Sequence, residues 1–195
     1  MREIFEIEPK TTIDRDNSYI ASYPHLLKFF ATKERIDVPD LVCGAHMVYG
    51  WMPTVLELYP HIERIELRAA ASLLTEAKSE RRLDGKELSL LAGLINNSLV
   101  GASKLLHFVA PSKYAIWDSK IFSFVHGKRS NNYRVNDVGA YLDYLQLLEG
   151  LQNRPQFPIF HSSMNTKVGY AMTPMRALEL VMFINAPVIR ATPSV

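Results

Sequence analysis

The chain has 195 residues, 48% of them hydrophobic and 22% charged, with a formal net charge of +2. That supports one substantial core or two small helical lobes, and it leaves nucleic-acid binding to a local patch and not to a global field. A single cysteine, Cys43, excludes an internal disulfide framework and a cysteine-held metal cluster. No run of about 18 apolar residues offers a membrane span, and Met1 to Glu8 lacks an apolar signal region, so a cytoplasmic protein without membrane attachment is expected.

Met1 to Ile7 alternates well enough to predict one short strand or extended arm. Helical periodicity then dominates, predicting helices over Ser18 to Ala31, Pro39 to Tyr49, Pro53 to Tyr59, Ile62 to Lys78 and Gly85 to Asn96. Further helices are predicted over Gly101 to Ala110, Ser119 to His126, Asp137 to Leu151 and Pro174 to Asn185. Phe157 to Phe160 is short and proline-bound and carries no assignment. Asn136 is placed to cap the helix from Asp137, and Thr173 with Pro174 reads as N-cap and first residue of the last helix. The expected class is all-α, one compact domain over 1–195, expected as a monomer. The surface turn Arg81 to Gly85 marks where an N-terminal lobe, 1–83, would give way to a second lobe, 84–195.

The densest chemistry lies in Gly101 to Val125, GASKLLHFVAPSKYAIWDSKIFSFV. Ala102, Leu105, Leu106 and Val109 form one apolar stripe, which leaves Lys104 off it with His107 and Phe108 nearby. Pro111 stops that helix, an apolar extended run from Tyr114 to Trp117 follows, and Asp118 sits where an N-cap belongs. Ile121, Phe122 and Val125 supply the apolar stripe of the helix it opens. Backbone N–H groups at a helix start favour the charged form of such a carboxylate. Lys104 and Asp118 thus form a candidate amine and carboxylate pair.

A basic segment follows at once: His126, Gly127, Lys128, Arg129, Ser130, Asn131, Asn132, Tyr133 and Arg134. Lysine and arginine bring charge, the serine and asparagines hydrogen bonds, and Tyr133 a stacking surface, the parts used for phosphate contact and for an unstacked base. His25, His46 and His61 have no metal-binding spacing, so no metal and no cofactor are assigned.

This stretch resembles the helix-hairpin-helix DNA glycosylases, most closely the 8-oxoguanine-glycosylase-like bacterial proteins. Ser103-Lys104, Leu106-His107-Phe108, Pro111 and Ile116-Trp117-Asp118 carry the likeness, over about 25 residues. The resemblance implies Lys104 and Asp118 as the catalytic residues and duplex DNA with a flipped base as the partner. Gly101, Ser103, Lys120, Lys128, Arg129, Asn131, Asn132, Tyr133 and Arg134 would contact DNA. His107, Phe108, Trp117 and Trp51 would line the base pocket. The likeness further implies base excision, with or without cleavage at the abasic site, in repair or against modified phage DNA. Two departures stand out: Asn97 to Gly101 keeps one of the two hairpin glycines, and the lysine and aspartate are only 14 residues apart. On pattern alone Asp118 is equally a plain cap and Lys104 an exposed lysine. Trp51 and Trp117 are then core anchors, as are Met175, Met182 and Phe183, and the chain is a non-catalytic helical module that binds DNA or protein.

Overall fold

The computed structural model describes residues 3–51, 55–59, 65–79 and 81–188, and these are all-helical apart from one isolated β-bridge. Residues 4–7 are a single helical turn, α1 (Ile4–Ile7), and not the predicted strand. Its apolar side chains at Ile4 and Ile7 are three apart, so a turn of helix sets both against the core, and Phe5 meets Phe160 edge-on at 5.4 Å. Asn17 caps α2 (Ser18–Ala31), its side chain accepting from the Tyr19 amide. Pro24 lies inside this helix and has no N–H to give the Ile20 carbonyl. The Tyr170 hydroxyl donates to that oxygen at 3.2 Å in its place.

After α3 (Val38–Trp51) the sequence predicts another helix, of which Pro53 falls outside the described residues. The part that is described, 55–59, is extended instead: Leu58 bridges Ile95, the Tyr59 N–H donates to the Leu94 carbonyl and the Asn96 N–H to that of Glu57. The next helix, α4 (Leu67–Lys78), starts later than predicted, residues 62–64 being outside the described set. A capping box between Asp84 and Glu87 starts α5 (Gly85–Leu94), and Ser98 caps α6 (Leu99–Val109).

Asp118 opens α7 (Ser119–His126) and Asn131 opens the single turn α8 (Asn132–Val135). Asp137, not Asn136, caps α9 (Val138–Gln152), because the Asn136 Oδ1 accepts the Leu99 N–H of α6 at 2.9 Å. The unassigned run at Phe157 begins α10 (Phe157–Val168): Pro158 stands in the first turn, where a missing N–H costs nothing, and Phe157, Phe160, Met164 and Val168 form its buried stripe. Thr173 and Pro174 begin α11 (Pro174–Ile184) as predicted.

Two helices organise the packing. α6 is buried on almost every side and lies among α2, α3, α4 and α5, while α11 lies among α1, α7, α9 and α10. The buried side chains of both groups form one cluster. α5 packs against both α6 and α9, and α1 packs against α11.

Between α6 and α7 residues 114–117 run extended and fully buried with no sheet partner, so side chains serve their backbone. Nδ1 of His107 donates to the Tyr114 carbonyl at 2.8 Å and the Tyr141 hydroxyl to that of Ala115 at 3.1 Å. The Trp117 N–H donates to the Ser103 hydroxyl at 3.1 Å.

Candidate active site and nucleic-acid face

The hairpin joining α5 to α6 turns without glycine. Asn96 and Asn97 adopt φ of 54° and 45°, the left-handed region that asparagine tolerates better than most residues. The Asn96 side chain accepts from the Glu57 amide and donates to the Val55 carbonyl at 2.9 Å, which ties the turn to residues 55–59. Gly101, expected to face DNA, is buried: a Cβ there would lie 1.8 Å from the Tyr49 hydroxyl oxygen, so its missing side chain is what lets Tyr49 close on α6. Burial pushes that phenol up to about 12.

Ser103, also expected on the DNA side, is fully buried. Its hydroxyl accepts the Trp117 N–H and lies within bonding distance of the Val100 and Trp117 carbonyls, at 2.9 and 3.2 Å. The residue before Lys104 is therefore bonded to the residue before Asp118. Oδ1 of Asp118 accepts the Lys120 and Ile121 N–H groups at 2.9 Å each and leaves Oδ2 without a backbone donor. Lys104 makes no ion pair or hydrogen bond among the described residues. Burial lowers the pKa of its amine, against the opposing charges of Asp118 and Glu179. Lys104 lines a cavity of about 250 Å³ together with Tyr49, Asn96, Asn97 and Asn132.

Behind this pair lies a buried ion pair that the sequence reading missed. Arg176 and Glu179, both fully buried on α11, bond through Nη1 and Oε2, while Arg176 Nε and Nη2 and Glu179 Oε1 have no partner among the described residues. The guanidinium carbon sits 4.5 Å from the Tyr23 ring centroid, 5.3 Å from Tyr19 and 5.9 Å from Trp51. Burial pushes the Glu179 carboxyl up to about 7 against the pull of Arg176, with Asp118 adding to the rise and Lys104 opposing it. Arg176 is thus bonded to Glu179, and Asp118 and Lys104 act on it electrostatically. The pair's trace in the sequence is two opposite charges three apart within the apolar run of α11.

The four expected pocket aromatics have other duties. His107 is fully buried: Nδ1 donates to Tyr114, so the other ring nitrogen, Nε2, accepts from the Tyr23 hydroxyl at 2.7 Å. Burial and the charge of Arg176 hold this imidazole down to about 3. Phe108 is buried against Tyr23 and Trp51, and Trp117 against Tyr141 and Tyr144 with its Nε1 donating to Val135. Only Trp51 is part-exposed; it stacks on Tyr19 at 3.9 Å. Phe183 stacks on Tyr19 from another side at 5.6 Å, and both line a second cavity of about 370 Å³. Met175 and Met182 are core residues.

The basic segment is exposed, and Tyr133 is 87% accessible. Asn131 caps α8 through the Arg134 N–H, and the Arg134 guanidinium donates to the Arg129 carbonyl at 3.1 Å. Lys128, Arg129 and Arg134 pair with no carboxylate among the described residues. Lys120 stands 4.1 Å over the Phe183 ring. Asn132 lines the Lys104 cavity and, with Tyr133, Asn136 and Asp137, a wider surface hollow, so the loop adjoins the amine. No group of three or more His, Cys, Asp or Glu among the described residues has metal-binding geometry, and no helix there is long and apolar enough to cross a membrane.

No protein-family model matches the chain, and neither a curated protein nor a solved structure is similar enough to count as a match.

Proposed function

We propose that this chain is a DNA N-glycosylase with abasic-site lyase activity. The observation that carries the reading is the unpaired, largely desolvated amine of Lys104, joined to Asp118 through the Ser103–Trp117 bond, at a cavity shared with the polar turn and the basic loop. A target nucleotide must leave the stack to expose C1′, and the exposed cations and amides around Asn132 suit the strand that holds it. Oδ2 of Asp118 stabilises positive charge developing at the sugar. The neutral amine of Lys104 attacks C1′, the bond to the base breaks, and ring opening leaves a Schiff base from which the strand is cut by β-elimination.

The test is mass-spectrometric detection of free base from duplexes carrying oxidised, alkylated, deaminated and phage-type modified bases, with borohydride trapping of the amine adduct. Asp118→Asn is expected to slow base release by roughly 10²–10³-fold, and Lys104→Ala to abolish the trapped adduct. Unchanged activity in both variants excludes the mechanism. The glycine-free turn of Asn96 and Asn97 favours a second reading, a non-catalytic DNA-binding module, marked by DNA affinity without base release and indifferent to Asp118→Asn.

A further inference from the structure

Tyr49 stands near the C-terminal end of α3, which packs against α6, and it is only 4% exposed. Its hydroxyl closes on Gly101, where even a Cβ would overlap it. That hydroxyl has no hydrogen-bond partner among the described residues, yet it is not sealed in the core as the unpartnered Tyr144 hydroxyl is. It opens on the cavity of about 250 Å³ that Lys104 also lines. Hydroxyls this deep without a partner are uncommon, and one that faces a cavity is free to bond what enters.

Lys104 reaches the same cavity from α6. Gly101 and Lys104 are three apart and so share one side of the helix, and a helical side chain leans towards the N-terminus, which carries the lysine stem back over the turn that holds Gly101. The lining agrees, because Asn96, Asn97, Ser98 and Val100 precede Lys104 in the chain and border the cavity with it. The Asn96 side chain is spent on Glu57 and Val55, and the Ser98 hydroxyl accepts the Gly101 N–H. The carboxamides of Asn97 and Asn132 do not give up protons. Tyr49 is therefore the weak acid in this cavity beside the amine, and burial keeps its proton on at neutral pH.

We propose that Tyr49 is a catalytic acid of this site, its hydroxyl giving a proton to O4′ of the sugar as the ring opens. The inference rests on the glycosylase and lyase reading. Once the neutral amine has formed the N–C1′ bond, the glycosidic bond breaks with its electron pair on the base, which water protonates. Nζ and O4′ are then both bonded to C1′, so a hydroxyl beside the amine is beside O4′ as well. The nitrogen, now a secondary ammonium, releases one proton, and its lone pair forms the C=N bond as the C1′–O4′ bond breaks. O4′ takes the Tyr49 proton and becomes a hydroxyl, and the phenolate recovers the proton that the nitrogen released. One proton has moved from nitrogen to O4′, the product is the iminium, and Tyr49 ends as it began.

The experiment is single-turnover borohydride trapping on two probes. One is duplex DNA with an abasic site, whose sugar is mainly a closed ring. The other carries an open-chain aldehyde in place of that sugar and has no ring to open. Tyr49→Phe removes an oxygen that no described residue bonds, and it should slow trapping on the abasic duplex by roughly 10²-fold while leaving trapping on the open-chain probe at the rate of the unaltered protein. Equal rates for the variant and the unaltered protein on the abasic duplex overturn the role of Tyr49 alone. Equal slowing on both probes makes the hydroxyl a part of the packing and overturns it too. No adduct from the unaltered protein on either probe refutes the lyase reading itself, and Tyr49 as its acid with it.

Discussion

Lys128 and Arg129 on the loop after α7 and Arg134 on α8 stand in water, whereas Lys104 is largely buried and Arg176 lies inside, paired with Glu179. The same residue types answer to different physics in the two places. On the loop each cation is screened over a Debye length of roughly 10 Å and meets little geometric demand. In the interior the charges are decided by one another, and a partner lost from the group leaves the rest uncompensated. The structure thus keeps two separate sets of charges, an exposed one and a buried one.

The contrast breaks most severely if the buried pair is cut. Glu179→Ala should cost about 3–5 kcal/mol in urea unfolding, and replacing Arg176 and Glu179 together by methionine and leucine should recover most of it. A loss below about 1 kcal/mol from the single change would place the pair on the same footing as the loop. Acid tests the interior next. The folded chain holds His107 near 3 while the unfolded chain protonates it at its ordinary 6.5, so stability is complete above 6.5 and falls as pH drops towards 3. The limiting loss is about tenfold in the folding constant per pH unit, and His107→Gln should flatten that slope in denaturant titrations.

A smaller effect sharpens the comparison at the hairpin. Gly101→Ala should cost about 1–3 kcal/mol by overpacking against Tyr49, and adding Tyr49→Phe should return part of it, read as a coupling energy in thermal melts. Smallest are the loop cations: Lys128→Ala and Arg129→Ala should each weaken DNA binding and flatten its dependence on log salt by about 0.9, with base release from the saturated complex unchanged. A loop variant that altered the rate within that complex would erase the division of labour.

The sequence marked these features unevenly. The bounds of α2 and α7 and the Thr173 cap follow from local signals and match the prediction. The side of α6 off its predicted stripe carries Lys104, His107 and Phe108, and the burial of His107 and Phe108 there puts that side in the interior too. Ser103 and Gly101 were assigned to DNA from the motif, but their use depends on Trp117 and Tyr49, which only tertiary packing brings close. The all-α class was legible because periodicity is local, and the Arg176–Glu179 pair was readable only as an anomaly in an apolar run.

The β-bridge between Leu58 and Ile95 ties together two pieces of chain far apart in the sequence. The amides of Tyr59 and Asn96 are each held by the opposite strand, and the Asn96 side chain reaches 39 residues back to Glu57. Their hydrogen-exchange protection should therefore rise and fall together, at an opening free energy below that of the α6 core. Asn96, in the wall of the Lys104 cavity, is thus held by a distant segment of the chain.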